Sequence, residues 1–184
     1  MKIIVAVTGA SGAIYARQTL ERLTQAAGIE RIALITSRRA QQVMAGEGIT
    51  LPENALIDIF DEEDMSAPPA SGSSRWDAMI VVPASMGTVA RIASGVSRTL
   101  IERAADVMLK ERRRLVMAVR ETPLSLIHLR NMTALTEAGA IILPASPSFY
   151  FKPRTLDELC MTVTERILTA AGVDISVRAW GETK

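Results

Sequence analysis

The chain has 184 residues, 48% hydrophobic and 22% charged, a composition that favours a globular protein built round one core. Its 21 basic and 20 acidic side chains leave a net charge of +1, which argues against nucleic acid or an anionic membrane as the main partner. A single cysteine, Cys160, excludes an internal disulfide, no apolar run has the length of a membrane span, and one lysine before a short apolar strand is no signal peptide, so a cytoplasmic protein is expected.

The first element is the β-branched run Lys2–Thr8, which reads as a buried parallel strand. Gly9-Ala10-Ser11-Gly12 follows as a tight turn, and helical spacing begins at Ala13, with Ile14, Leu20 and Leu23 as the buried stripe. A strand, a small-residue turn and a helix N-terminus direct free N–H groups and the positive helix end at one spot, an anion or cofactor site. The spacing is neither G-x-G-x-x-G nor a P-loop, so by itself this turn fits a nucleotide-like ligand or a plain structural turn.

Arg31–Thr36 is the second strand, and Ser37 opens a helix over 38–45. Ser37 is an N-cap by type, and the same hydroxyl can face a phosphate. Glu47 closes that helix and matters chemically only if the fold brings it beside Ser11. Residues 49–76 are less regular. Asp61-Glu62-Glu63-Asp64 lacks the D-D-x-x-D spacing of magnesium-dependent prenyl transfer and reads as a solvated acidic loop; Pro68–Ser74 is a turn-rich loop with Trp76 as its apolar anchor.

Ala78–Pro83 is the third strand, and Ala84-Ser85-Met86-Gly87-Thr88 opens another helix, repeating the first device. Two such turns can lie side by side at the carboxyl edge of a parallel sheet, which favours a nucleotide or flavin site. A helix is expected over 99–114, with a basic end suited to the negative helix terminus. Leu115–Val119 is the fourth strand. Arg120 and Glu121 stand just after it, where such folds place ligand groups, and Arg120 can fork onto a phosphate or a carbonyl. Pro123 suits the first turn of the next helix, which carries His128, a structural or surface histidine, and runs to Ala138. Ala140–Pro144 is the fifth strand; the loop 145–153 then concentrates Phe149, Tyr150 and Phe151 in a chain with 4% aromatics. Thr155-Leu156-Asp157-Glu158 reads as a capping box into the last long helix, which carries Arg166. Residues 173–184, with Trp180, form a tail expected to pack on a neighbouring subunit. No repeat and no second domain are visible: 1–184 is expected to be one domain, an α/β, Rossmann-like or flavodoxin-like parallel sheet with helices on both faces.

Taken in order, Thr8–Ala13, Ala67–Ser74, Ile101–Val107, Leu109–Arg113, Val119–Leu124 and Phe149-Tyr150 with Pro153 resemble the flavin prenyltransferase (UbiX) family over nearly the whole chain. The resemblance implies a metal-independent transfer of a dimethylallyl group from a dimethylallyl phosphate to N5 and then C6 of reduced FMN. It also implies delivery of prenylated FMN to a UbiD-type decarboxylase, and a homo-oligomer, a dodecamer in the family, with active sites where subunits meet. Carried over by position, Gly9, Ala10, Ser11, Ser37, Ser85, Met86, Gly87, Thr88 and Arg120 bind FMN. Lys110, Arg120, Glu121, Tyr150 and Arg166 bind the prenyl phosphate, and Ser11, Glu47, Lys110 and Glu121 are catalytic. The chain departs from many relatives at Ala84, where they have Cys, and at Arg114, where they have Pro. Two other readings stay open: an FMN-dependent decarboxylase of the related Cys-containing oligomeric family, and a non-catalytic flavin-binding or storage protein. The donor, monophosphate or diphosphate, and the receiving pathway are not specified by these residues.

Overall fold

The computed structural model describes residues 1–177; the expected docking of Trp180 lies outside the described residues. Six parallel strands form one sheet: β1 (Lys2–Val7), β2 (Arg31–Thr36), β3 (Ile57–Phe60), β4 (Ala78–Ala84), β5 (Arg114–Val119) and β6 (Ile141–Pro144), in the order β3-β2-β1-β4-β5-β6. Among the described residues, six α-helices connect them or follow them: α1 (Ala13–Gln25), α2 (Arg38–Glu47), α3 (Met86–Ala93), α4 (Leu100–Lys110), α5 (Leu126–Glu137) and α6 (Leu156–Ala170).

Both sheet faces are covered, so the central strands are apolar on both sides, as parallel sheets require. Ile3, Val5 and Val7 pack with Leu20 and Leu23 of α1 and Val163 and Ile167 of α6. Ile4 and Ala6 point the other way, into a core with Val89 of α3, Leu100, Ala104 and Met108 of α4 and Leu135 of α5. Trp76 is buried in that second core and anchors the 68–74 loop, as its sequence context suggested. On α1 the buried stripe is Tyr15, Ala16, Leu20 and Leu23; Ile14 is only partly covered.

Several details differ from the sequence reading. The 49–76 stretch contains a strand, β3, that pairs only with β2 and so lies at the edge; it has four residues, none of them fully buried, and leaves Ile59 74% exposed, which hides it from a search for buried runs. The helix expected over 99–114 stops at Lys110, because the chain turns through Arg112 in the left-handed region and Arg114 already belongs to β5. Pro123 does not open α5: Ser125 is its N-cap, its Oγ accepting from the His128 N–H while His128 Nδ1 accepts from the Ser125 N–H, so His128 is structural. At α6, Thr155 caps the Glu158 N–H as expected, but the Glu158 carboxylate reaches one residue further back, to the Arg154 N–H.

Candidate active site

The chain winds outward from the centre in both directions, so neighbours β1 and β4 are the point where strand order reverses, and ligands of such sheets bind beyond the carboxyl ends there. Thr8 ties the two strand ends together: its Oγ1 donates to the Pro83 carbonyl (2.7 Å) and accepts from the Ser85 N–H (2.8 Å). Above this floor opens a cleft of about 670 Å³, within the size range of small-ligand sites, lined by Gly9, Ser37, Arg38, Arg39, Ser85–Thr88, Arg91, Arg98, Thr99, Glu102 and Glu121 among others.

The N-caps of three helices meet in this cleft. Ser37 caps the Ala40 N–H of α2, Ser85 caps the Thr88 N–H of α3, and Thr99 forms a capping box with Glu102 of α4. Four arginines and four glutamates line the cleft, but Glu102 is taken up by Arg91 and two backbone N–H groups and Glu62 accepts the Arg38 N–H, so the partial positive charge of the helix N-termini and the remaining guanidinium donors suit an anion such as a phosphate monoester. Gly9 permits close backbone packing: a Cβ there would lie 2.7 Å from the Arg39 Cβ. The donor set fits the phosphate of a flavin mononucleotide.

A second cluster adjoins the cleft through Gly9–Ser11 and Arg120–Glu121. Gly12 precedes α1 with φ 105°, a left-handed conformation that suits glycine. The Glu47 carboxylate accepts the Gly12 and Ala13 N–H groups, each at 2.8 Å, filling the α1 N-terminus from the end of α2. Arg120 Nε donates to the Ser11 carbonyl at 3.2 Å. Burial pushes the Glu47 pKa up, but the Gly12 N–H, the Ser11 hydroxyl, the Ala13 N–H and the Arg120 charge together hold it below the ordinary value of 4.5. Glu47 is therefore a carboxylate at neutral pH, and the fold does bring it beside Ser11.

This arrangement has a pH signature. A folded pKa below the unfolded value gives stability that is fully present above 4.5 and is lost as pH falls through the lower folded value. Glu47→Gln should cost about 1 kcal/mol at pH 7, since an amide has one acceptor oxygen for two N–H groups and the site is solvent-screened. Urea titrations at pH 7 and pH 3 should show the difference between wild type and variant shrinking at the lower pH; an unchanged difference would remove the carboxylate from the α1 cap.

The structure does not gather all the expected residues in one chain. Gly9, Ser37, Ser85, Met86, Gly87, Thr88 and Glu121 line the cleft, and Ala10, Ser11, Glu47 and Arg120 stand at its rim. Lys110 does not join them. It ends α4, pairs with Glu111 (2.6 Å), and lies where β5 begins, whereas Arg120 lies where β5 finishes. Tyr150, 68% exposed, is on a loop folded along α6, where the Ser148 N–H donates to Thr162 Oγ1 at 3.1 Å. Thr162 and Arg166 are one helical turn apart, so this loop and Arg166 share the outer side of α6, outside the cleft.

Sequence reasoning missed one pair inside the cleft, Arg91 and Glu102. Glu102 is 1% exposed; one oxygen accepts Arg91 Nε, the other accepts the Arg98 and Thr99 N–H groups, each at 2.9 Å. Burial raises its pKa, and the hydrogen bond and charge of Arg91 with the Thr99 and Arg98 N–H groups bring it below the ordinary value. The Thr99-x-x-Glu102 spacing is the signal that could have found it. The acidic stretch also acts as scaffold: Glu62 accepts the Arg38 N–H through its carboxylate and the Leu100 N–H through its carbonyl. Among the described residues, no group of three or more His, Cys, Asp or Glu is placed to hold a metal ion, and no helix is long and apolar enough to cross a membrane.

A family model described as Flavoprotein matches residues 1–168. A flavin prenyltransferase UbiX from Thermoplasma acidophilum is 44% identical over 175 residues, 94% of this chain and 96% of that protein. Among solved structures, AnUbiX in complex with FMN and dimethylallyl pyrophosphate is similar with a TM-score of 0.89 at 45% identity, covering 97% of this chain and 98% of that one. A dodecameric FMN-dependent UbiX-like decarboxylase from Escherichia coli O157:H7 is similar with a TM-score of 0.90 at 39% identity, covering 99% and 100%.

Proposed function

The chain belongs to the UbiX family of flavin prenyltransferases, and from that premise we propose that it transfers a dimethylallyl group from a dimethylallyl phosphate to N5 and then C6 of reduced FMN. The observation that carries the reading is the cleft at the β1–β4 switch point, where three helix N-caps and the Glu47–Ser11–Arg120 cluster meet. Reduced FMN supplies the nucleophilic nitrogen and carbon.

The chain's own residues do the rest. Gly9, Ala10, Ser11, Ser37, Ser85, Met86, Gly87, Thr88 and Arg120 hold the FMN. Lys110, Tyr150 and Arg166, with Arg120, offer positive charge and a phenol to the phosphate, which stabilises the leaving group as the carbon–oxygen bond breaks. Glu121 orients these donors or passes a proton to the departing phosphate oxygen. The Glu47 carboxylate, ionised at neutral pH, takes the proton lost from C6, with Ser11 hydrogen-bonded to it. The apolar residues Phe149 and Phe151 keep water from the prenyl group, which hydrolysis would otherwise consume.

The position of Lys110 supports an oligomer whose site is completed by a second copy, and the E. coli relative is described as dodecameric. The 1–184 chain is then one domain per subunit, working in the cytoplasm and passing prenylated FMN to a UbiD-type decarboxylase. The decarboxylase alternative rests on a catalytic Cys and His. Here Cys160 is buried on α6 beside Tyr15, and His128 caps α5; neither lines the cleft.

The test is anaerobic incubation of the protein with dithionite-reduced FMN and dimethylallyl monophosphate, then mass spectrometry of the extracted flavin. A flavin heavier by one prenyl unit is expected. Unmodified flavin with both the monophosphate and the diphosphate would overturn the reading in favour of a flavin-binding protein.

A further inference from the structure

We propose that Arg91 reads the phosphate of FMN in this cleft and that Glu102 is the positioning residue that holds it there. The proposal rests on FMN being the ligand of the cleft. Arg91 springs from the last turn of α3 and lines the same cleft as the N-caps Ser85 and Thr99. Two of its three guanidinium nitrogens are committed. Nε is taken by the buried Glu102 carboxylate, and Nη2 donates to Thr88 Oγ1 at 3.2 Å. Nη1 takes neither partner and lies over Gly87, 3.3 Å from where a Cβ would stand. Thr88 Oγ1 in turn lies 3.1 Å from Ser85 Oγ, so the chain Glu102–Arg91–Thr88–Ser85 reaches from the core to the first turn of α3.

The chemistry of this chain suits a dianion. Glu102 is an acceptor only, fixed by two backbone N–H groups on its far oxygen, so its near oxygen can orient a guanidinium without rotating away. A guanidinium held by one edge keeps planar donors in a fixed direction, which a free surface arginine does not. The pair is neutral as a unit; the residue left facing the cleft is the donor side. The half-exposed Arg91 side chain is open to the ligand, while Glu102 is sealed behind it.

The experiment compares FMN with riboflavin, which shares the ring system and ribityl chain but lacks the phosphate, by quenching of flavin fluorescence. Wild type should bind FMN more tightly than riboflavin. Arg91→Gln should raise the FMN Kd about tenfold or more while moving the riboflavin Kd by less than about twofold. Arg91→Lys should recover part of the loss, because it returns the charge without the fork. Glu102→Gln should raise the FMN Kd selectively, since an amide cannot accept from Arg91 and from both backbone N–H groups. The double variant Arg91→Gln/Glu102→Gln should lose no more than Arg91→Gln alone.

Equal losses for FMN and riboflavin would overturn the proposal in favour of a scaffolding pair, and unchanged FMN binding in Arg91→Gln would remove the phosphate contact. Additive losses in the double variant, or tighter FMN binding by Glu102→Gln, would remove the positioning role. Should Glu102→Gln fail to fold, the Arg91 variants, altered at an exposed side chain, decide the matter by themselves. A wild-type protein that binds both flavins equally, or neither, would sink the FMN reading and this inference with it; wild-type preference for FMN with unmoved variants would sink this inference alone.

Discussion

Replacing Arg120 by alanine is expected to lower the rate of prenyl transfer by about 10²–10³-fold, the usual scale for removing one preorganised donor from a reacting centre. The residue follows the buried strand β5 directly, so its backbone is fixed, and its Nε donates to the Ser11 carbonyl at 3.2 Å. That contact joins the two halves of the cleft rim, the Gly9–Gly12 turn and the β5 end. Arg120 is also one of the groups that hold the Glu47 pKa down. Its loss removes a positive neighbour, so the Glu47 pKa rises and the acid limb of the pH–rate profile should move to higher pH. Arg120→Lys should restore the charge but not the directional contact, and should recover only part of the rate. Stopped-flow turnover with reduced FMN across about pH 3–7, which spans a carboxylate titrating at or below its ordinary value, measures both effects. A full rate in Arg120→Ala, or an acid limb that stays put, would take Arg120 out of the site.

The second large effect concerns Lys110. Lys110→Ala and Glu121→Gln should each abolish turnover as pure proteins, yet a mixture reassembled from dissociated subunits should regain activity. The reason is distance along one chain. Between Lys110 and Arg120 runs the whole of β5, from Arg114 to Val119. At ~3.3 Å per residue a strand of this length spans roughly 20 Å, so one chain presents Lys110 at one edge of the sheet and Glu121 at the other. A site that uses both must take them from different copies. In a random one-to-one mixture, roughly a quarter of the sites then pair an intact Lys110 with an intact Glu121, as expected for a heterologous contact. Recovery near that fraction, measured after dilution from mild denaturant, supports a shared site. No recovery, with oligomers shown by light scattering to be mixed, would mean that Lys110 and Glu121 do not cooperate across subunits.

The surface outside the cleft fits the same picture. Leu124, Leu126, Ile127 and Leu129 at the start of α5 are exposed, as are Phe149 and Leu156 around the loop that carries Tyr150. Clusters of exposed apolar residues of this kind are characteristic of protein–protein contact surfaces.

Much was legible because the central elements follow simple rules. Residues 2–8, 31–36 and 78–83 are runs of apolar residues that a sheet covered on both faces requires, and Ser37 and Thr155 are caps whose hydroxyls do accept N–H groups of their helices. The turn Gly9–Gly12 and its echo at Ser85–Thr88 were legible as neighbours at the carboxyl edge, and Gly9 and Ser85–Thr88 do line one cleft. What escaped was either marginal or relational. Edge strand β3 carries half the pattern of a central strand, because only one side of it pairs and Ile59 faces outward.

The sequence by itself determined the runs of a doubly covered parallel sheet, the caps and the small-residue turns at its carboxyl edge, because these are written in local patterns. Only the tertiary structure decided which distant groups meet. Glu47 reaches the Gly12 and Ala13 N–H groups across 35 and 34 positions, Arg120 reaches Ser11 across 109, and Lys110 is carried away from Glu121 by the direction of a single strand. Those separations are set by strand order and helix packing, in which long-range hydrophobic burial outweighs any local preference, so no short stretch of sequence encodes them.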